Sequence, residues 1–126
     1  MTYNPQIPEW GEKYLENNEE NLIKYHEWLS TTGVKTGLIS PKKDQYIWDE
    51  FIVHSLYFYK LMEDLNLENK DLFDIGTGGG IPGIPISIVN KAKVTLIDNK
   101  TSRIYELQRL ITVSYTHLTL PTSDLV

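Results

Sequence analysis

Apolar positions in the first seventy residues recur with the period of a helix. In residues 19–31 (EENLIKYHEWLST), Leu22, Ile23, Tyr25, His26 and Leu29 stand at helical spacing. The spacing predicts a short amphipathic helix that Gly33 ends. Ser40-Pro41 reads as an N-cap followed by proline at the first helical position. From there Trp48, Phe51, Ile52, Ser55, Leu56, Tyr59 and Met62 trace one face of a longer helix. Such a stripe needs a partner surface, and the sheet predicted by the next segment is the expected one.

Beyond residue 70 the rhythm shortens. Residues 71–75 (DLFDI) predict a short strand that runs into Gly76, Gly78, Gly79 and Gly80. Residues 82–90 (PGIPISIVN) predict a helix, with Pro85 still in its first turn, where a missing amide proton costs little. Residues 93–97 (KVTLI) predict a second strand ended by Asp98, and a further helix is expected from Thr101 to about Leu110. Strand, glycine turn, helix, strand and acid make the opening βαβ of a doubly wound α/β sheet. The expected organisation is a helical segment over 1–70, a partial Rossmann-like cofactor-binding unit over 71–112, and a tail over 113–126.

Composition narrows the possibilities. No cysteine is present, which excludes disulfides and thiolate chemistry, and no apolar run is long enough to span a membrane. The start shows no secretory signal, so cytoplasmic residence is the default. The formal net charge is −5, and the excess acid lies in residues 1–70. No basic stripe for nucleic acid is formed, so any RNA contact must come from a few residues or from further sequence. Lys42, Lys43 and Arg103 are candidate phosphate contacts.

The chemistry is concentrated in Asp74-Ile75-Gly76-Thr77-Gly78-Gly79-Gly80-Ile81-Pro82-Gly83. A glycine turn admits a ligand without meeting Cβ atoms. The helix start behind it is expected to offer free amide protons. Asp98 lies 24 residues after Asp74, at the same edge of the neighbouring strand, where a carboxylate accepts from the two hydroxyls of a ribose. The spacing is G-x-G-x-G with Ile81 where a dinucleotide fingerprint needs glycine. An acid directly before the turn repels a pyrophosphate but suits an ammonium and a sulfonium, both of which S-adenosylmethionine carries. Two structural alternatives stay open: Asp74 as a cap of the glycine turn, and Asp98 as the cap of the following helix. Thr77 reads as a turn residue.

The longer string DIGTGGGIPGIPISIV resembles the D-[VI]-G-[ST]-G-x-G-x-P-G-[IL]-P-L-x-I signature of the ribosomal RNA small-subunit methyltransferase G family, also called glucose-inhibited division protein B. VTLIDNKTSRIYELQRL is similar to the family's strand, acid and following helix, and GLISPKKDQYIWDEFIVHSL to its N-terminal segment. The resemblance spans residues 20–112 and implies a class I methyltransferase fold. It also implies transfer of a methyl group from S-adenosylmethionine to N7 of one guanine in 16S rRNA. By that resemblance Gly76 and Ile81 fall on cofactor-binding positions and Asp98 on the ribose acid, with Asp74, Gly78 and Gly80 completing the loop. The implied partner is 16S rRNA or the small ribosomal subunit, with no metal and no membrane, and the chain is expected to be a monomer.

Three departures qualify the likeness. Glu50-Phe51 replace a basic Arg-His pair and His54 replaces an acid, so His54 is expected to be a polar core residue. The rest of the family's fold is missing, so no catalytic residue is assigned, and the chain is expected to be an inactive N-terminal fragment whose helix stripes lack a full covering surface. VSYTHLTLPT, in the tail, resembles the in-frame translation of a transposase-type sequencing adapter; the alternative is a natural Thr-rich tail. A fragment of an NAD-type dinucleotide-binding oxidoreductase is the competing functional expectation.

Overall fold

The computed structural model describes residues 2–90 and 93–114. A 3-10 turn at Glu9–Gly11 leads into α1 (Glu12–Leu15), then α2 (Glu19–Trp28), which widens into a π-type segment, Leu29–Gly33. A second helical rod joins α3 (Asp44–Tyr46), a π-type segment Ile47–Val53 and α4 (His54–Asp64). The α/β part follows as β1 (Leu72–Ile75), α5 (Gly83–Val89), β2 (Val94–Ile97) and α6 (Thr101–Ser114).

Helix ends differ from expectation in instructive ways. The first helix runs past Gly33, because Gly33 keeps helical backbone, and the left-handed residue that a stop requires is Gly37, at φ +78°. Leu38 N–H donates to the Gly33 carbonyl at 2.8 Å and Gly37 N–H to the Val34 carbonyl at 3.1 Å, the paired bonds of a Schellman ending. α4 stops the same way at Asn66, whose φ is +59°. The second rod starts at Asp44, three residues after Pro41. Tertiary contacts fix that start: the His26 Nε2–H donates to the Asp44 carbonyl at 2.8 Å, and the Thr2 hydroxyl donates to the Asp44 carboxylate. They override the local cap that Ser40 offers.

The apolar stripe is buried as expected. Trp48, Ile52 and Leu56 are wholly inaccessible, and Ser55, Tyr59 and Met62 nearly so. Its main partners, however, are helices rather than the sheet. α4 packs on α5, and Ile47–Val53 packs on α2. The reason lies in α5, where Ile84, Pro85, Ile86 and Ile88 are all buried. A helix apolar on every side forms a middle layer, with the strands beneath and the front helices above. This layer supplies the cover that the sequence left in question. His54 is a second correction: its side chain is 70% exposed, 3.8 Å from Glu50 one turn back, and outside the core.

β1 and β2 pair in parallel, with Phe73 opposite Thr95, Asp74 opposite Leu96 and Ile75 opposite Ile97. Asp74 and Leu96 face α5, while Phe73 and Ile75 are 60% and 78% exposed on the other face. On that second face the exposure belongs to β1, since Thr95 of β2, opposite Phe73, is buried. α6 reaches Ser114, so Val113 and Ser114 continue the helix expected to stop before them, no glycine or proline lying between Thr101 and Ser114 to end it. The rest of the expected tail, with its adapter-like sequence, lies outside the described residues.

Candidate functional site

The strand edge of the α/β unit carries the glycine loop. Gly76 N–H and Thr77 N–H both donate to the Ile97 carbonyl, at 2.8 and 3.0 Å, so the loop leaves β1 while still tied to β2. Gly76, Gly78 and Gly80 adopt φ of +72°, +58° and +90°. These glycines divide by what faces them. A Cβ on Gly76 or Gly78 would meet no atom within 4 Å, whereas one on Gly80 would stand 2.5 Å from Ile84 Cδ1 and 3.3 Å from Leu107 Cδ2. A Cβ on Gly79 would stand 3.1 Å from Leu29 Cδ2, and one on Gly83 would stand 2.8 Å from Asp74 Oδ2 and press on Leu96. One side of the loop is open, and the other is packed.

The two aspartates are both buried and divide by their partners. Asp74 is turned inward: its Oδ2 accepts from the Thr77 hydroxyl at 2.7 Å and from Gly83 N–H at 2.9 Å. Burial raises its pKa above the ordinary carboxylate range, and those two bonds only partly offset it. Asp98 lies against the open side, where its Oδ2 accepts from Gly78 N–H at 3.0 Å. Its Oδ1 accepts from Lys100 N–H at 3.0 Å, which locks the turn into α6. Arg103 Nη1 lies 3.4 Å from both oxygens. Burial pushes the Asp98 carboxyl up, but the Lys100 and Gly78 amides and the Arg103 charge outweigh it and hold the pKa below the ordinary value. Asp98 is therefore an ionised acceptor. A carboxylate offers about four acceptor positions, of which the two amides take two and Arg103 faces the rest, and the side chain is only 1% exposed.

The structure brings Asp74, Gly76, Gly78, Gly80, Ile81 and Asp98 together at one strand edge, with Ile81 half-buried and its amide donating to the Thr77 carbonyl at 3.1 Å. It does not leave the helix start free. Gly83 N–H is taken by Asp74, Ile84 N–H by the Gly80 carbonyl at 2.7 Å and Ile86 N–H by the Pro82 carbonyl at 3.2 Å, while Pro85 has none. Buried amides must be paired, and here the loop itself pairs them. Asp74 caps the glycine turn through Thr77 and takes the Gly83 amide as well, whereas Asp98 stands three residues before Thr101 and binds the Lys100 amide rather than an amide of α6.

Two residues make contacts that sequence reasoning missed. Arg103 was legible as a cation, yet it faces Asp98 rather than standing as a separate phosphate contact. Tyr25, fully buried on α2, donates its hydroxyl to the Gly79 carbonyl at 2.7 Å. Its only sequence signal is a general one: a tyrosine on a core stripe must find a partner for its hydroxyl. Among the described residues there is no cluster of three metal-ligating side chains and no helix long and apolar enough to cross a membrane.

Comparison with known proteins bears on this site. The model of the family described as rRNA small subunit methyltransferase G (GidB) matches residues 18–120. A protein of Mycobacterium marinum named ribosomal RNA small subunit methyltransferase G is 30% identical over 90 residues, covering 71% of this chain and 38% of that protein. A Mycobacterium sp. strain JLS protein of the same name is 40% identical over 76 residues, covering 60% of this chain and 32% of its own length. For a third, from Mycobacterium ulcerans, the figures are 29% over 89 residues, 70% and 50%. The chain thus spans between about a third and a half of the length of the relatives it matches.

Proposed function

The chain belongs to the rRNA small subunit methyltransferase G family, and from that premise we propose that its glycine loop seats S-adenosylmethionine for methylation of guanine N7 in 16S rRNA. One observation carries the reading. Gly76 and Gly78 present bare backbone to open space directly beside Asp98, whose charged carboxylate is already bound to the Gly78 amide. A Cβ at either glycine would enter that space. The donor set therefore fits a nucleoside with vicinal hydroxyls and a cationic tail.

In this reading Asp98 accepts from the ribose hydroxyls through the positions that Arg103 now faces at 3.4 Å. Gly76 and Gly78 let the donor lie close to the backbone, and Ile81 adds an apolar contact at the far end of the loop. Asp74 acts through the loop: with Thr77 and Gly83 it fixes the turn and places a carboxylate behind it. Gly80 serves by its backbone conformation and its contact with Ile84. When bound, S-adenosylmethionine supplies an electrophilic methyl group. Guanine N7 attacks with a lone pair and carries no proton to remove, so the chain is asked for alignment rather than a general base. The reaction requires no metal. The partner is 16S rRNA or the small ribosomal subunit, which places the protein in the cytoplasm.

Nothing found supports the dinucleotide alternative, and Ile81 stands where its fingerprint requires glycine. Isothermal titration tests the choice. The chain is expected to bind S-adenosylhomocysteine and to ignore NAD; binding of NAD alone would overturn the proposal.

A further inference from the structure

The front helices and the glycine loop belong to different halves of the sequence pattern, yet they share a buried hydrogen bond. Tyr25 and Gly79 are 54 residues apart, and the hydroxyl–carbonyl distance is 2.7 Å. Around that bond the contact is apolar and close. The missing Cβ of Gly79 faces Leu29 Cδ2 at 3.1 Å and Ile39 Cγ2 at 3.4 Å, so both the front helix and the segment after it rest on the packed side of the loop. The Tyr25 ring is held independently, stacked on Trp28 at 6.1 Å between centroids. The loop's other anchors all come from the α/β unit: the Ile97 carbonyl, Asp98, Asp74 and Thr77.

The geometry points to Tyr25 as a positioning residue for the donor loop, acting through Gly79 and never touching the donor. This rests on the reading of the loop as the methyl-donor seat. Gly79 sits between Gly78, which faces open space, and Gly80, whose φ is +90°. The Gly79 carbonyl shares one peptide plane with the Gly80 N–H, which donates to the Thr77 carbonyl at 2.9 Å, so holding that carbonyl also holds the bond that closes the turn around Gly78. A buried carbonyl without a partner drives the local backbone to rearrange, so loss of the hydroxyl transmits to the open side. The boundary near residue 70 divides the sequence pattern, but it does not divide the site. The helical segment is a wall of the cofactor loop.

Tyr25→Phe in the full chain removes the hydroxyl and keeps the stacked ring. Tyr14→Phe is the control: Tyr14 is also buried in the front and donates to Glu63, away from the loop. Hydrogen exchange resolved by NMR should speed up at the Gly78, Gly80 and Ile81 amides in Tyr25→Phe and stay unchanged there in Tyr14→Phe. Affinity for S-adenosylhomocysteine should fall about tenfold in the first variant only. Equal loop protection in both variants, or equal affinity in both, would overturn the assignment. If the unaltered chain binds no S-adenosylhomocysteine, the donor reading fails by itself, and the exchange comparison still decides whether Tyr25 holds the loop. Should Tyr25→Phe not fold, exchange of the Tyr25 hydroxyl proton in the unaltered chain takes its place: slow exchange supports the bond to Gly79, and exchange as fast as at the exposed Tyr57 overturns the assignment.

Discussion

The two faces of the glycine loop are made of the same residue types and behave oppositely. On the packed face Gly80 and Gly83 are glycine because Ile84, Leu107, Leu96 and Asp74 leave no room for a Cβ. On the open face Gly76 and Gly78 have room to spare, and only their positive φ requires glycine of the fold. The aspartates are both buried and differ by partner: Asp74 binds Thr77 and Gly83 on the packed side, while Asp98 binds the Gly78 amide of the open side, the Lys100 amide and Arg103. A motif read as a single binding element thus has a half that builds the turn and a half that faces open space. Crowding, rather than residue type, tells them apart.

Substitutions should separate the halves, and the largest effect is expected at Gly80. Gly80→Ala adds a Cβ 2.5 Å from Ile84 Cδ1 at a residue with φ +90°, combining overpacking with left-handed strain. A loss of about 3 kcal/mol is expected by denaturant unfolding. Gly83→Ala suffers the clash without that strain and should lose about 2 kcal/mol. Gly78→Ala meets no neighbour and should lose only about 1 kcal/mol, from φ +58° alone. Equal losses at positions 78 and 80 would erase the distinction between the faces.

A smaller effect should appear in the pH dependence. Asp98 has a lowered native pKa, so the stability it contributes is complete above about pH 4 and is lost as pH falls through that lowered value. Asp74 has a raised native pKa, so its contribution is complete below about pH 4 and is lost as pH rises through the raised value. Melting temperatures followed from pH 7 downward should therefore diverge. Asp98→Asn should flatten the loss below about pH 4, and Asp74→Asn should remove a gain that the unaltered chain makes between neutrality and about pH 4. Changes of the same sign in both variants would contradict the opposite pKa shifts.

Much of this was legible in the sequence, for local reasons. The strands Leu72–Ile75 and Val94–Ile97 and the helix Gly83–Val89 sit where apolar runs, glycines and proline put them. The stripe from Trp48 to Met62 is buried because helical periodicity reports which side of a helix is apolar. Periodicity does not report what that side touches. Hence the stripe's partner was misjudged, and so was His54, which substitutes for an acid yet points to solvent. Stops and starts set by tertiary contacts were also hidden, as at Asp44, held by His26 and Thr2, and at Gly37, where the left-handed turn falls four residues after the first glycine. The site residues were legible as a set, because the loop's spacing carries them. The split between Gly78 and Gly80 was not, because the side chains that crowd one of them come from Ile84 and Leu107.

The most direct test is a titration of S-adenosylhomocysteine into the isotope-labelled chain, followed by backbone amide NMR. The account predicts that the amides of Gly76, Gly78 and Asp98 move together, while those of Gly80 and Gly83 hold their positions. Movement confined to Gly80 and Gly83, or to residues away from the loop, would contradict it.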